Sequence, residues 1–212
     1  MEVKLVSITP DAEKTIGYCA RVSNPANQCN PNVAGLLKYC ILHGHWSIFE
    51  MANVVVEINT TRGIAAQILR HRSFSFQEFS QRYAKALGFE EVEARRQDKK
   101  NRQNSFDDLS DDTKKWWSDA VSSIEQKSEA LYNEALEKGI AKESARFLLP
   151  LNTTTRLYMN GTVRSWIHYI NLRTDPSTQK EHRDIANAIK DILVEELPIV
   201  SQALNWKSPE IE

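Results

Sequence analysis

The sequence lacks the features that mark secreted and membrane-spanning proteins. Its 212 residues include three cysteines, Cys19, Cys29 and Cys40, and no CxxC pair. An odd number of widely spaced cysteines supports neither a disulfide framework nor a zinc ribbon, and it predicts a reducing, cytoplasmic location. No apolar run approaches the ~20 residues that a membrane helix needs. The acidic, interrupted start MEVKLVSITPDAEK is not typical of a secretory signal.

The sequence also lacks an excess of charge of either sign. Lys and Arg total 27 and Asp and Glu total 28, so the formal net charge is −1. A general nucleic-acid coat or a polybasic membrane binder would carry a clear excess of cations, so neither a nucleic acid nor a membrane is expected as a partner. With 41% apolar and 26% charged residues, the composition is that of a globular protein long enough to bury its own core.

Local patterns predict a single α+β domain over residues 1–212, with a small, mostly antiparallel sheet flanked by several helices. Runs of β-branched residues predict strands over residues 3–8, 53–58 and 151–159. Apolar periodicity, caps and helix breakers predict helices over residues 11–20, 32–44, 61–69, 113–138, 142–149, 163–172 and 178–197. The polar stretch 90–112 is expected to be an exposed, partly mobile excursion.

The highest density of chemically useful residues lies between Arg70 and Tyr83, in the segment RHRSFSFQEFSQRY. Arginine guanidinium groups match phosphate oxygens, and the interleaved aromatic rings offer stacking surfaces for a flat heterocycle. The preceding amphipathic helix would hold the segment in place through its apolar face. The segment therefore favours a phosphorylated, planar ligand such as a nucleotide or a flavin.

Two other interpretations of the segment 70–83 stay open on the residues alone. It could be a solvated face crossed by salt bridges, although its neighbours are Phe, Ser and Gln rather than Lys and Glu. It could also belong to a non-catalytic module that binds single-stranded RNA, because such modules interleave aromatic and basic residues. The net charge of −1 and the lack of an RNP-type or Gly-rich pattern count against RNA.

The predicted helix 163–172 has two chemically different faces. Arg164, His168 and Asn171 are spaced i, i+4 and i+7 and fall on one side. The other side is largely apolar and carries Val163, Trp166, Ile167 and Ile170. A polar stripe usually faces solvent, and that interpretation stays open. Arg, His and Asn without Lys or Glu are more typical of a face that binds a ligand.

Two histidines, His43 and His45, form an HxH pair that could contribute to a zinc site. A zinc site in a protein needs three or four ligands. The sequence spacing places no third ligand beside the pair, so no metal site is expected.

The segment 70–83 resembles the signature RHRxxSx(N/Q)ExSxRY of the flavin-dependent thymidylate synthases. Arg70-His71-Arg72, Ser75, Gln77-Glu78, Ser80 and Arg82-Tyr83 stand in that register. Further segments resemble the family on both sides of it, and they are ARVS at 20–23, HGHWSIFE at 43–50, ARFLLPLN at 145–152 and NLR at 171–173. The resemblance covers most of the chain apart from the stretch 90–112.

The resemblance implies a defined activity, the reductive methylation of dUMP to dTMP. In the family, 5,10-methylenetetrahydrofolate donates the carbon, and FAD, reduced by NADPH, is the redox cofactor. No enzyme nucleophile attacks the pyrimidine, which agrees with cysteines that all lie away from the arginine-rich segment. The resemblance also implies a metal-free homotetramer whose active sites are shared between subunits.

The resemblance further implies which residues hold each ligand. Expected to contact dUMP are Gln67, Arg70, Glu78, Ser80, Gln81, Arg82, Arg146 and Arg173. Expected to contact FAD are Ser47, Arg70, His71, Arg72, Glu78, Thr162, Arg164 and His168. Arg173 is the expected catalytic residue, because a nearby cation favours an ionised uracil N3. Without the family, Arg173 could simply be a cation that interacts with a helix dipole. The chain departs from the commoner pattern at Gln77, Thr162 and Ser177, positions that bear on the adenine and folate contacts.

Overall fold

The chain is built around a small antiparallel sheet. The computed structural model describes residues 1–86 and 88–206. Its strands are β1 (Glu2–Ile8), β2 (Asn53–Thr61), β3 (Ser75–Glu78), β4 (Arg96–Gln97), β5 (Ser105–Phe106) and β6 (Thr154–Thr162). The main sheet has the order β1-β2-β6-β3, and β4 and β5 form a separate two-stranded ribbon. All of these pairs are antiparallel.

Helices account for most of the remaining ordered chain. They are α1 (Ala12–Ala20), α2 (Ala34–Leu42), α3 (Arg62–Ile68), α4 (Asp111–Glu137), α5 (Lys142–Ala145), α6 (Val163–Arg173), α7 (Lys180–Glu196) and α8 (Pro198–Ala203). Thr61, Ser110 and Thr162 begin α3, α4 and α6, and each hydroxyl accepts a hydrogen bond from a backbone N–H three residues on, as N-caps do. Gly139 follows α4 with φ +80°, a conformation that favours glycine.

The core lies between the sheet and the helices packed around it, among them α6 and α7. Alternate residues of β2, including Val54 and Val56, are fully buried, as a sheet with one covered face requires. Trp166 of α6 packs into the same cluster, and its Nε1–H donates to the carbonyl of Val54 at 3.1 Å. This buried contact fixes α6, and with it the polar residues of that helix, against the centre of the sheet.

The arginine-rich segment is held at one edge of the sheet by an unexpected strand. β3 pairs with β6 from Ser75–Asn160 to Glu78–Leu157. The Phe74 ring lies over Gly161, where a Cβ atom would stand 2.4 Å from the ring, and it meets Trp166 edge-on at 4.6 Å between ring centroids. Only glycine at position 161 leaves room for this ring.

The α+β class, the antiparallel sheet and the long helix near 113–138 are confirmed. The strand predicted over 151–159 begins later, because Thr153 turns back onto Pro150 through both its N–H and its hydroxyl. The helix predicted over 142–149 ends at Ala145 and continues as a 3-10 turn, Arg146–Leu148. The helix predicted over 178–197 ends at Glu196, before Pro198 starts α8.

The stretch 90–112 is largely exposed, as predicted, but side-chain contacts also dock it on the fold. Its ribbon β4-β5 is supported by Arg96, which pairs with Asp108. The indole N–H of Trp117 donates to the carbonyl of Val92 at 2.7 Å, and Arg95 pairs with Glu181 of α7. The contact of Trp117 joins residues 25 positions apart, so no local sequence pattern could predict this anchoring.

Candidate active site

The centre of the candidate site is a pair of residues that are far apart in sequence. Arg173 ends α6, and its Nε–H donates to Nε2 of His71 at 2.9 Å. Since Nε2 accepts, the proton of the neutral imidazole must be on Nδ1. Burial, and then the neighbouring Arg173, lower the pKa of His71 to about 4. His71 is therefore neutral at physiological pH and leaves the charge of Arg173 uncompensated.

An aromatic cluster fixes the position of the His71 imidazole. The ring meets Tyr169 edge-on with centroids 4.8 Å apart, and Phe74 at 6.3 Å. Tyr169 and Trp166 lie three residues apart on α6 and are both fully buried, because they share its core-facing side. The guanidinium of Arg173 is thus held by a ring that cannot easily move.

A cavity of about 480 Å³ lies beside the exposed face of α6. It is lined by Trp46, Glu50, Ser73, Arg164, Ser165, Ile167, His168 and Asn171. The polar stripe predicted from sequence therefore does line a cavity, and two predicted FAD contacts, Arg164 and His168, meet in it. Arg164 also forms an ion pair with Glu50.

Other predicted FAD contacts are placed less directly. Ser47 is exposed in the 3-10 turn Trp46–Glu50, beside this cavity. The hydroxyl of Thr162 accepts from the N–H of Ser165 at 3.2 Å, so it acts as a helix cap. Arg70 and Arg72 are exposed on either side of His71. Neither has a carboxylate within salt-bridge distance in the described part of the chain.

A second cavity, of about 350 Å³, brings together predicted dUMP contacts. Gln81 and Arg146 line it, together with Arg62, Phe147 and Leu151. The side chain of Gln81 is buried, and its Nε2 has no hydrogen-bond partner among the described residues. A buried donor without an acceptor is costly, so this amide is suited to a ligand that supplies one.

Glu78, predicted to contact both ligands, is engaged within the chain itself. Its carboxylate pairs with Arg62 at the start of α3 and accepts from the hydroxyl of Thr155 at 3.0 Å. Sequence reasoning missed Arg62, whose only signal was a cation directly after the cap residue Thr61. Glu78 thus positions a cation at the wall of the second cavity.

The remaining predicted dUMP contacts follow β3 or lie on α3. Arg82 pairs with Glu143 at 3.2 Å, and its N–H donates to the Ser80 hydroxyl at 3.4 Å. Gln67 lines a further cavity of about 400 Å³. That cavity shares Leu151 with the cavity of Gln81 and Arg146, so these predicted contacts face adjoining spaces.

Three residues around Gln67, the exposed Gln179 and the buried His182 and Tyr169, were not predicted as part of the site. Gln67 Nε2 donates to Oε1 of Gln179 at 2.6 Å, and Gln67 Oε1 lies 3.4 Å from Nδ1 of His182. His182 is completely buried, and its Nε2 lies 3.0 Å from the Tyr169 hydroxyl. The only sequence signal was a histidine in the apolar face of the predicted helix 178–197.

The structure also describes the segments considered for a metal or a membrane. The rings of His43 and His45 have centroids 6.2 Å apart, and Tyr39 stacks on His43 at 4.2 Å. Over residues 1–86 and 88–206, no group of three His, Cys, Asp or Glu side chains could hold a metal ion. Within the same residues, no helix has both the length and the apolar character needed to cross a bilayer.

Comparison with known proteins identifies the family of the chain. A family model described as "Thymidylate synthase complementing protein" matches residues 4–199. The chain is 57% identical to the "Flavin-dependent thymidylate synthase" of Synechocystis sp., over 97% of this chain and 100% of that protein. It is 56% identical to the "Probable flavin-dependent thymidylate synthase" of Paramecium bursaria Chlorella virus 1, with the same coverage. The chain therefore belongs to the flavin-dependent thymidylate synthase family, as the signature at 70–83 predicted.

Solved structures share the fold. A UMP/dUMP methylase, PolB from Streptomyces cacaoi, crystallised with 5-Br dUMP, matches with a TM-score of 0.86 at 24% identity, over 98% of this chain and 97% of that one. The same protein with 5-Br UMP gives a TM-score of 0.86 over 96% and 93% of the two chains. Agreement over nearly the full length of both chains confirms the predicted fold class.

Proposed function

We propose that the chain catalyses the reductive methylation of dUMP to dTMP, with 5,10-methylenetetrahydrofolate as carbon donor and FAD, reduced by NADPH, as redox cofactor. The observation that carries the proposal is the Arg173–His71 pair. A guanidinium held by a neutral imidazole keeps its full positive charge for an anionic ligand. Membership of the flavin-dependent thymidylate synthase family supports the proposal that this pair serves that reaction.

The residues around the cavity of α6 fit a flavin dinucleotide. Arg164 and His168 line that cavity, and the exposed Arg70 and Arg72 supply cations suited to a diphosphate. Trp46, in the same lining, offers an aromatic surface for a flat ring. When bound, FAD would supply the hydride chemistry. We propose that the FAD site is completed by Ser47, His71, Glu78 and Thr162. Glu78 acts there by positioning Arg62, and Thr162 by capping α6.

The adjoining cavities of Gln67 and Gln81 fit dUMP. Arg146 and Arg62 line the Gln81 cavity and would neutralise a phosphate dianion, for which a planar fork of donors is well matched. The unpaired amide of Gln81 would donate to an oxygen of the ligand. Arg70, Ser80 and Arg82 are proposed to add contacts where the chain leaves β3.

Arg173 is proposed to activate the uracil directly. A cation beside a weak acid stabilises its anionic form, so Arg173 would favour ionisation at N3 and raise the electron density of the ring. Its Nε–H is already used by His71, which leaves the two terminal nitrogens to face the pyrimidine. Catalysis then requires no covalent bond between the protein and the base.

The cysteines agree with a mechanism that uses no protein nucleophile. Cys40 is buried, and burial raises the pKa of its thiol, which disfavours the reactive thiolate. Cys19 and Cys29 are free, and none of the three lines the cavities described above. Free thiols also fit the reducing cytoplasm in which we place the enzyme.

We further propose that the single domain 1–212 works as a homotetramer with shared sites. The FAD-side cavity and the Gln81 cavity have no lining residue in common. Large apolar side chains stand exposed beside the second one, with Phe147 82% and Leu151 77% accessible. Another subunit that covered this surface would bury apolar area and supply the missing walls of each site.

One experiment tests the activity against the RNA-binding alternative. The purified protein should be yellow, with flavin absorbance near about 450 nm, and should form dTMP only when FAD, a reductant and methylenetetrahydrofolate are all present. Replacing Cys19, Cys29 and Cys40 together by Ser should leave substantial turnover in a folded protein. A colourless protein that binds single-stranded RNA, or loss of activity with one Cys change, would overturn the proposal.

A further inference from the structure

A chain of hydrogen bonds leads from the docked stretch 90–112 to the candidate site. Arg95 donates to Oε1 of Glu181, and Gln179 Nε2 donates to the other oxygen, Oε2, at 2.8 Å. Gln179 Oε1 in turn accepts from Gln67 Nε2 at 2.6 Å. The chain continues from Gln67 to His182 and from His182 to Tyr169. It therefore runs through a predicted dUMP contact and ends on the aromatic cluster around His71.

The Glu181 carboxylate determines which partner donates and which accepts in every later bond of the chain. A carboxylate can only accept, so Glu181 forces the NH₂ group of Gln179 towards itself. The Gln179 oxygen then faces Gln67, so Gln67 must donate to it from its own NH₂ group. The Gln67 oxygen consequently faces His182, which must donate from Nδ1. His182 Nε2 is left as an acceptor for the hydroxyl of Tyr169.

Hydrogen bonds at Glu181, and burial at His182 and Tyr169, keep the two ends of this chain in the required protonation states. Burial alone would raise the pKa of Glu181, but hydrogen bonds, chiefly from Arg95, lower it on balance, so the carboxylate is ionised at neutral pH. Burial, with smaller effects of Arg173 and His71, lowers the pKa of His182 to about 3. Burial raises the pKa of Tyr169, which stays a phenol able to donate.

We propose that Glu181 is a positioning residue for the dUMP site: through Gln179 it fixes which way the Gln67 carboxamide presents its donor and its acceptor. The inference rests on the proposed function, since Gln67 is assigned to dUMP there. Gln67, Gln179 and Glu181 line the same cavity of about 400 Å³. Gln67 has one N–H and one lone pair left after these two bonds, and both keep a single orientation.

The substitution Glu181→Gln should reverse the whole chain of bonds. Arg95 can only donate, so it would hold the amide oxygen of the new side chain and turn its NH₂ group towards Gln179. Gln179 and then Gln67 would have to flip, and His182 would change from the Nδ1–H to the Nε2–H tautomer. Gln67 would then present its free acceptor where its free donor had been, and its free donor where the acceptor had been.

Substitution of Arg95 is a control that separates the donor–acceptor direction of the hydrogen-bond chain from the stability that the Arg95–Glu181 ion pair gives to the fold. Arg95→Met removes the same ion pair but leaves Glu181 and its bond from Gln179. In an alkaline buffer that keeps Glu181 ionised, the direction of the bonds is unchanged and the affinity for dUMP should remain within about twofold. In the double variant Arg95→Met/Glu181→Gln nothing holds the new amide oxygen, so the original direction becomes accessible again. This double variant should therefore bind dUMP more tightly than Glu181→Gln alone, which a merely structural role for Glu181 does not predict.

The test measures dUMP affinity by calorimetry on the FAD-loaded protein and the His182 tautomer by ¹⁵N NMR. We expect about tenfold weaker binding for Glu181→Gln, equivalent to one lost hydrogen bond, together with a change of tautomer. The effect should vanish in a Gln67→Met background, because coupled residues are not additive. Thermal melts report whether each variant folds, and Gln179→Met, at an exposed position, gives a second break in the chain.

Two results would overturn the proposal. One is an unchanged Nδ1–H tautomer in Glu181→Gln, and the other is a double variant that binds dUMP no better than Glu181→Gln. The NMR signal does not depend on catalysis, so it distinguishes this inference from the proposed function. If the tautomer changes as expected while the wild-type protein binds no dUMP, the assignment of dUMP as ligand is overturned, and with it the proposed function.

Discussion

At the scale of single residues, the side chain of Arg173 is proposed to contact two partners at once. Its Nε–H satisfies the half-buried His71 ring, and its terminal nitrogens are proposed to face the uracil. Arg173→Ala should lower dTMP formation by about 10²–10³, the effect of removing one donor to a developing anion. Flavin content should change little, because Arg72, Arg164 and His168 are proposed to hold FAD. Turnover and bound flavin, measured on the same preparation, check this.

Arg173→Lys is the matched comparison. An ammonium is a point charge on a flexible stem and cannot donate to His71 and to a ligand as a planar fork does, so Lys should not restore full turnover. If Arg173 served only the helix dipole, Ala would cost about 0.3–1 kcal/mol of stability and Lys would rescue. A fully active Lys variant would therefore count against the catalytic role.

His182 makes the stability of the fold depend on pH. Its folded-state pKa of about 3 lies below the ordinary value of 6.5, so between these values the unfolded chain binds a proton that the folded chain does not. Its contribution is complete above pH 6.5 and is lost as the pH falls. At pH 5 the free energy of unfolding should be about 2 kcal/mol lower on this account.

The variant His182→Gln isolates that contribution. A glutamine can hydrogen-bond but cannot titrate, so its free energy of unfolding should fall less steeply between pH 7 and 5 than that of the wild type. Groups such as Glu13 and Asp191, whose pKa values are raised by burial, affect both proteins equally and cancel in the difference. Equal slopes in urea titrations would show that His182 is protonated in the folded state.

At the scale of secondary-structure elements, the contact between Phe74 and Gly161 holds β3 and the arginine-rich segment on β6. Gly161→Ala would place a methyl group 2.4 Å from the ring and should destabilise the fold by about 1–3 kcal/mol, as overpacking does. Gly35→Ala, in α2 with nothing within 4 Å, is the control and should be neutral or stabilising. Urea unfolding of both variants tests the contact, and equal stabilities would refute it.

Most elements were predictable because their signals are local. Apolar spacing, Thr61 as a cap and Gly139 as a terminator lie within a few residues of the helices that they delimit. β3 was missed because its partner is β6, about eighty residues away, and because three of its four residues are polar. An edge strand of this kind is stabilised by pairing rather than by its own pattern.

At the scale of the whole molecule, assembly should be necessary for flavin binding. Light scattering should give a tetramer, and Phe147→Asp, a charge placed on a side chain that is 82% exposed, should weaken assembly and flavin retention together while the single chain stays folded. The physical reason is that burying an unpaired charge in an interface costs free energy. A monomer that retains stoichiometric FAD would contradict the prediction.

The candidate site was only partly predictable, because many of its contacts join residues that are far apart in the sequence. Arg164 and His168 share a cavity, as one turn of helix ensures. The contact of Arg173 with His71 joins residues 102 positions apart, and that of His182 with Gln67 spans 115. Family resemblance named His71, Arg173 and Gln67, but it did not indicate Arg62, Gln179 or His182, which only the folded chain brings next to the site.

Arginines without a carboxylate partner also determine how the protein interacts with ions in solution. Arg70, Arg72 and Arg146 have no carboxylate partner in the described part of the chain, although the formal net charge is −1. Inorganic phosphate or sulfate can occupy such guanidinium groups and must be displaced before a nucleotide binds. The apparent affinity for dUMP therefore depends on the buffer in which it is measured. In a cell it varies with the concentration of free phosphate.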